Sequence, residues 1–441
     1  MGQELRKLLS LAWPVVLGQL GFTLMGVVDI AMVGSLGEIP LAALAAGNMW
    51  SFATLIPGLA LMMGLDPVFA QAHGAENPRA MGRALARALV LAAGSAPFII
   101  LLHVNAEAGL RLLQQPEQAI PIASEYTRIL ALGVPGMLLF QVLRQYLQAM
   151  GRTGLPTVAV VVGNLVNVLL NLGLIHGRWG FPALGAVGSG WATTAVRFVL
   201  PLVLLALSWK EVRSRWPVRG GVITVDAVWA LFRQAAPVSG HITMEVWAFN
   251  CVGVMMGWLG TAALAGHSLA LTLSVIAWMV IFGLAAAAST RIGNLIGAGR
   301  PWVQTGWIAV GLGLVVMGGS AAVLASFPAE LAALFTPDPA VIAVAVVLIP
   351  LAAIYQVFDG IQGVISGVLR GAGDVRVPAM LAMASFWGVG VPCAWWFGIH
   401  TGGGPAGVWT GLVAALVCAA LALLARLVIV GRRGVERVDL G

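Results

Sequence analysis

The chain has 441 residues, of which 60% are hydrophobic and 9% charged, with a mean hydropathy of +0.95. A soluble protein carries about 25% charged residues, so a soluble enzyme, a nucleic-acid binder and a disordered chain are excluded. Unbroken apolar runs of about 20 residues or more exclude the alternating strands of a β-barrel and leave an all-α polytopic membrane protein; the net charge of +7 is then read as the Lys and Arg bias of one membrane face.

Gly, Pro and charge clusters punctuate the chain into twelve spans. Residues 1–10 hold Arg6 and Lys7 but lead to no small-residue cleavage site, so the first span, 10–35, is read as a retained helix. It carries Asp29. The second, 41–72, holds Asp66 just before Pro67, read as a capping or interfacial residue, and His73 follows in a solvated loop. Spans 80–103 and 118–146 come next, with Glu125 and Arg128 one turn apart as a local ion pair. Span 155–176 carries Asn164, Asn167 and Asn171 at i, i+3 and i+7, and span 183–209 closes the first half. A connection from Trp209 to about Asp226 holds Lys210, Arg213, Arg215 and Arg219. Span 226–258 carries His241 and Glu245 one turn apart, with Trp247 close by. After 262–292 and 302–327, span 340–371 places Tyr355, Asp359, Gln362 and Ser366 on one face, before 376–400 and 405–430. The three cysteines, Cys251, Cys393 and Cys418, lie in apolar runs and give neither a disulfide framework nor a metal-binding spacing.

Lys and Arg gather on one side of this topology, about 20 against 2, which puts both termini in the cytoplasm. The two halves also resemble each other. Ala12, Pro14 and Val15 match Ala235, Pro237 and Val238 at an offset of 223, as do Gly34, Leu36 and Gly37 with Gly257, Leu259 and Gly260. Leu147, Gly151 and Pro156 match Leu369, Gly373 and Pro378 at 222. Six spans per copy give both copies the same orientation. The expected architecture is therefore two six-helix lobes, 1–209 and 226–441, joined by a cytoplasmic linker at 210–225 and related by a pseudo-two-fold axis along the membrane normal.

An ionised group at the bilayer centre costs about 2.5–3.5 kcal/mol on insertion scales. Asp29, Glu245 and Asp359 are thus candidates for function, and the alternative for each is helix–helix hydrogen bonding. A carboxylate screened from water takes up and releases protons readily. Glu245 and Asp359, with amide or hydroxyl oxygens, also suit a hard cation such as Na⁺. The same acids attract lipophilic organic cations, which makes cation-driven antiport the expected mechanism, with no cofactor beyond the coupling ion. Trp247 and Asn164 are candidates for lining a substrate cavity.

Several stretches carry a family resemblance: Ala12-Trp13-Pro14, Val28-Asp29-Ile30-Ala31-Met32-Val33-Gly34, Ala70-Gln71-Ala72-His73-Gly74-Ala75, Leu147-Gln148-Ala149-Met150-Gly151 and Leu369-Arg370-Gly371-Ala372-Gly373-Asp374. Their order and spacing over the whole chain resemble the MATE (multidrug and toxic compound extrusion) family, in its NorM-like bacterial branch. The resemblance implies a cation-coupled exporter of small amphiphilic organic cations in the bacterial inner membrane, exchanging H⁺ or Na⁺ for its cargo, and a two-lobed transporter is expected to work as a monomer. The resemblance further implies that Asp29 acts with Asn167 and Asn171, and that Glu245 and Asp359 act together with Tyr355, one turn before Asp359. His241 departs from the family pattern, being placed to relay protons or compete with Na⁺. An exporter of metabolite cargo or a flippase of lipid-linked cargo in the same superfamily is the alternative; such a flippase is expected to line its cavity with Arg and Lys, whereas these candidates are acidic. A membrane enzyme would need a converging nucleophile–base pair or metal ligands, which the sequence does not offer.

Overall fold

The computed structural model describes residues 2–216 and 223–438, and among them every regular element is helical. Residues 217–222 of the expected linker, Arg219 included, lie outside the described residues. The first half comprises α1 (Gly2–Gly34), α2 (Glu38–Met63), α3 (Asp66–Gly74), α4 (Pro78–Val104), α5 (Ala106–Leu112), α6 (Ile120–Leu132), α7 (Val134–Ala149), α8 (Gly154–His176) and α9 (Ala186–Arg215). The second comprises α10 (Val225–Trp258), α11 (Thr261–Gly297), α12 (Val303–Ser326), α13 (Pro328–Ala333), α14 (Pro339–Gly371), α15 (Arg376–Met383), α16 (Val391–Trp395) and α17 (Gly404–Arg433). Wider π turns at Ala384–Gly390 and Trp396–His400 keep α15 and α16 in one span, Arg376–His400.

Among the described residues ten helices are long and apolar enough to cross a membrane, counting α2 with α3 as one, and the pair α6–α7, bent by 50°, makes an eleventh. The remaining expected span is α10. It has the length, 34 residues, but Arg233, Gln234, His241 and Glu245 dilute its apolar character. The bend between α6 and α7 falls at Gly133, where Pro135 opens the second helix and leaves no backbone donor for the turn before it. Two boundaries differ from expectation. α1 begins at Gly2 rather than near residue 10, and α9 continues to Arg215, past the expected span end at 209.

The repeat extends to backbone conformation. Gly37 and Gly260, one repeat apart, follow α1 and α10 with φ of 115° and 114°, a region closed to a side chain. Gly151 and Gly373, at φ of 74° and 84°, are a second such pair. The short helices α5 and α13, which start at Ala106 and Pro328, also correspond at the repeat offset.

Packing divides the described residues into two units, one of residues 2–16 with Gly240–Val438, the other of Leu17–Ser239. The divisions at Val16 and Ser239 each fall two residues after a proline inside a helix, Pro14 in α1 and Pro237 in α10. In the first unit one core surrounds Trp409, Tyr355, Phe386 and Val252. A second joins Leu8 to Ile281, Leu284, Ile365 and Leu427. The α11–α14 contact there is set by glycine. A Cβ on Gly367 or Gly371 would run into the backbone carbonyl of Ala285 or Ser289. Such close approach of small residues is how helices associate in lipid, where apolar burial gives no preference for a neighbour over an acyl chain. In the other unit, Val33, Leu44, Tyr126 and Leu130 form one core, and Ala43, Leu110 and Ile120 another.

Candidate functional site

Asp29 sits five residues before the end of α1 and is only 4% exposed. Its Oδ1 accepts hydrogen bonds from Asn171 Nδ2 at 2.6 Å and Asn167 Nδ2 at 3.2 Å, both on α8. Asn171 Nδ2 also donates to Asn167 Oδ1 at 3.1 Å. Oδ2 accepts from Thr193 Oγ1 of α9 at 3.2 Å. The i, i+4 placement of Asn167 and Asn171 puts both amides on one face of α8, and both are fully buried. One carboxylate is thus held by three neutral donors from two other helices.

The second cluster belongs to the other unit. His241 Nε2 lies 3.4 Å from Glu245 Oε2, one turn apart on α10, and 3.5 Å from Gln362 Nε2 on α14. Gln362 also hydrogen-bonds Glu245, and the charges of Glu245 and Asp359 act on each other and on Tyr355. Asp359 and Tyr355 are buried at 4% and 5% exposure. Tyr355 is gripped edge-on by Phe249 and Trp409, with ring centroids 6.1 and 5.7 Å away. Trp409 Nε1 in turn donates to His267 Nδ1 at 3.1 Å. Trp387, on a π turn beside this cluster, donates to the Met244 carbonyl at 3.0 Å. Among the described residues no three His, Cys, Asp or Glu side chains converge as a metal site. A cation held between Glu245 and Asp359 would therefore draw its further oxygens from neutral groups such as Tyr355 and Gln362.

The other expected residues fall elsewhere. Asn164, proposed as a cavity residue, donates to the Gly21 carbonyl of α1 at 3.0 Å and to Val160 of its own helix at 2.9 Å. Trp247 is 48% exposed on α10. Arg128 pairs with Glu107 at 3.3 Å instead of with Glu125. Asp66 is buried at the start of α3 and acts electrostatically on Arg144. His73 ends α3 and is half-buried rather than lying in a solvated loop.

Sequence reasoning missed Thr193, the third donor to Asp29. It also missed a buried network in the same unit. His103 lies 3.1 Å from Ser51 and 3.2 Å from Thr54, and Arg197 donates to the Leu130 carbonyl at 3.0 Å. Tyr126 donates to Asn48 at 2.8 Å beside it. Hydroxyl and imidazole groups inside apolar spans were the available signal.

Fold and site together define a duplicated multi-pass helical membrane protein with one buried acid cluster in each packing unit. The MatE family matches residues 14–172 and 237–396, one stretch in each copy of the repeat. The chain belongs to this family. It is 34% identical to the multidrug resistance protein PmpM of Pseudomonas aeruginosa, over 98% of this chain and 93% of that one. It is 35% identical to a probable multidrug resistance protein NorM of Mesorhizobium japonicum, over 96% and 93%. Its fold is similar to the crystal structure of the eukaryotic MATE transporter AtDTX14, with a TM-score of 0.89 at 22% identity, covering 97% of this chain and 96% of that one.

Proposed function

We propose that this chain is a secondary active multidrug exporter that exchanges H⁺ or Na⁺ for lipophilic, mostly cationic compounds by alternating access. The observation that carries the reading is the company of the buried acids. Asp29 is held by Asn167, Asn171 and Thr193, all of them neutral. Glu245 and Asp359 have His241, Gln362 and Tyr355 beside them. A buried carboxylate among neutral donors lacks a permanent counter-charge, so a mobile cation is its natural partner. Proton, Na⁺ and organic cation then compete for the same negative charge, which is the minimum an antiporter needs. The multidrug resistance names of the two relatives from Pseudomonas aeruginosa and Mesorhizobium japonicum support the same reading.

In this reading Asp29, Glu245 and Asp359 are the coupling residues, with Asn167, Asn171, Tyr355, His241 and Gln362 orienting them. Trp247 and Asn164 border the path of the cargo. The lobes are 1–209 and 226–441, with 210–225 as the linker between them. The protein works as a monomer in the bacterial inner membrane with both termini in the cytoplasm.

The test is efflux of a fluorescent lipophilic cation from drug-sensitive cells under imposed H⁺ and Na⁺ gradients. Wild type is expected to extrude the dye, and the gradient that drives it names the ion. Asp29→Asn, Glu245→Gln and Asp359→Asn are compared at equal membrane abundance. Unchanged efflux in all three would overturn the assignment.

A further inference from the structure

The first four turns of α1 carry an apolar groove that neither acid cluster uses. It has a volume of about 230 Å³ and is bordered by Leu9, Trp13 and Val16 of α1, Val280 of α11, and Leu312 and Val316 of α12. Every lining residue is apolar. Apolar cavities of about 150 Å³ stay dry and take hydrocarbon guests, so this groove calls for hydrocarbon rather than water or a polar cargo.

The end of the groove toward the N-terminus is strongly basic. Arg6 stands three residues before Leu9 and seven before Trp13, on the same face of α1, and it is exposed. Lys7 is exposed beside it. Its nearest acid is Glu4, 3.8 Å away. That carboxylate is already taken: Arg291 of α11 grips it with two bonds of 2.8 and 2.6 Å, and Thr305 of α12 lies 3.5 Å from it. Arg6 and Lys7 are thus left as a net double positive charge. The Glu4–Arg291–Thr305 clasp also ties together the three helices that form the groove.

We propose that this groove is a binding site for an anionic glycerophospholipid, one acyl chain lying along Leu9, Trp13 and Val16 and the phosphate resting on Arg6 and Lys7. The chain reaches the groove from the bilayer, and the two cations select the headgroup. Electrostatic attraction near a membrane surface favours an anionic lipid by roughly fivefold for each basic side chain.

The test uses the full chain in nanodiscs of phosphatidylcholine. A few per cent of either phosphatidylglycerol or phosphatidylcholine is added with a photoreactive diazirine in its acyl chain, and cross-linked peptides are mapped by mass spectrometry. In the wild type, the segments 9–16, 280–284 and 312–316 are expected to be labelled at least fivefold more by the phosphatidylglycerol probe. Arg6→Gln with Lys7→Gln, both on an exposed surface, should keep the labelling and erase the preference. Val316→Trp fills the groove and should abolish labelling at all three segments, while labelling of other lipid-facing helices reports that the protein is folded. Equal labelling by the two probes in the wild type would overturn the headgroup selection. Labelling of the three segments that survives Val316→Trp would overturn the groove. Displacement of the phosphatidylglycerol probe by a saturating lipophilic cation would assign the groove to cargo instead and equally overturn the proposal.

Discussion

The hydrogen-bond pattern around Asp29 separates two substitutions that remove the same charge. In Asp29→Asn the amide oxygen still accepts from Asn171 and Asn167, which bond Oδ1 at 2.6 and 3.2 Å. The new NH₂ replaces Oδ2, and the Thr193 hydroxyl turns from donor to acceptor. Three interhelical contacts survive. In Asp29→Ala no acceptor is left. Asn171 keeps its bond to Asn167 Oδ1, but Asn167 Nδ2 and Thr193 Oγ1 lose the acceptor they share. A buried donor left unsatisfied costs about 1–3 kcal/mol, and an interhelical bond in a membrane protein contributes about 0.6 kcal/mol on average. Asp29→Ala is therefore expected to lose about 2–4 kcal/mol of stability, and Asp29→Asn less than about 1 kcal/mol. Unfolding in mixed micelles with increasing dodecyl sulfate measures the difference, and dye efflux is expected to be lost in both. If the two variants unfold alike, the carboxylate is not the hub that joins α1 to α8 and α9.

Three further outcomes follow from other contacts. Gly367→Ala should destabilise by about 1–3 kcal/mol in the same unfolding assay, because the new methyl meets the Ala285 carbonyl and α11 must move away from α14. Glu76 holds φ of 52° where its counterpart in the second repeat is Gly299 at 68°; Glu76→Gly should raise stability by about 0.5–1 kcal/mol, the strain released less the flexibility gained on unfolding. Glu4→Arg and Arg291→Glu should each destabilise, since each leaves two like charges facing across the contact between α1 and α11, and combining them should restore most of the loss, which a thermal melt in detergent will read.

Apolar runs made most of the helices readable from sequence, because in lipid nearly every backbone group must be paired within its own segment. α10 shows what the repeat adds. It is too polar to stand out by hydropathy, yet Pro237 and Gly257 mark it as the counterpart of the first span. The early start of α1 was not readable, because its polar first turn is held by Arg291, which lies in the other half of the sequence. The acids were singled out by their cost in an apolar helix, and Asn167 and Asn171 by their helical spacing. Thr193 was not, since its neighbour Thr194 is the same residue type with a different task, donating to the Ile129 carbonyl at 2.9 Å. Periodicity finds the face of a helix; it does not say which helix that face meets. For the same reason the bond from the Asn164 amide to the backbone of α1 could not be read from its place on the α8 stripe.

The repeat and the two acid clusters obey different rules. Glycines and prolines that set backbone shape recur from one copy to the next, as Gly37 with Gly260 and Gly151 with Gly373 show. The acids do not recur. The counterpart of Asp29 in the second copy is Val252, fully buried in an apolar core. The counterpart of Glu245 in the first copy is Phe22, edge-on to Phe140 at 5.9 Å. That of Asp359 is Met137. Backbone geometry is shared because the same helix packing is built twice, while each polar cluster stands where the other copy has an apolar residue. The clusters therefore differ in charge capacity. One monovalent cation can neutralise Asp29, whereas Glu245 and Asp359 can carry up to two negative charges beside the His241 imidazole of α10. Neutralising Asp29 alone and the Glu245–Asp359 pair alone are thus distinct perturbations, and efflux of monovalent and divalent organic cations should respond to them differently. Equal responses to the two neutralisations would overturn this difference in charge capacity.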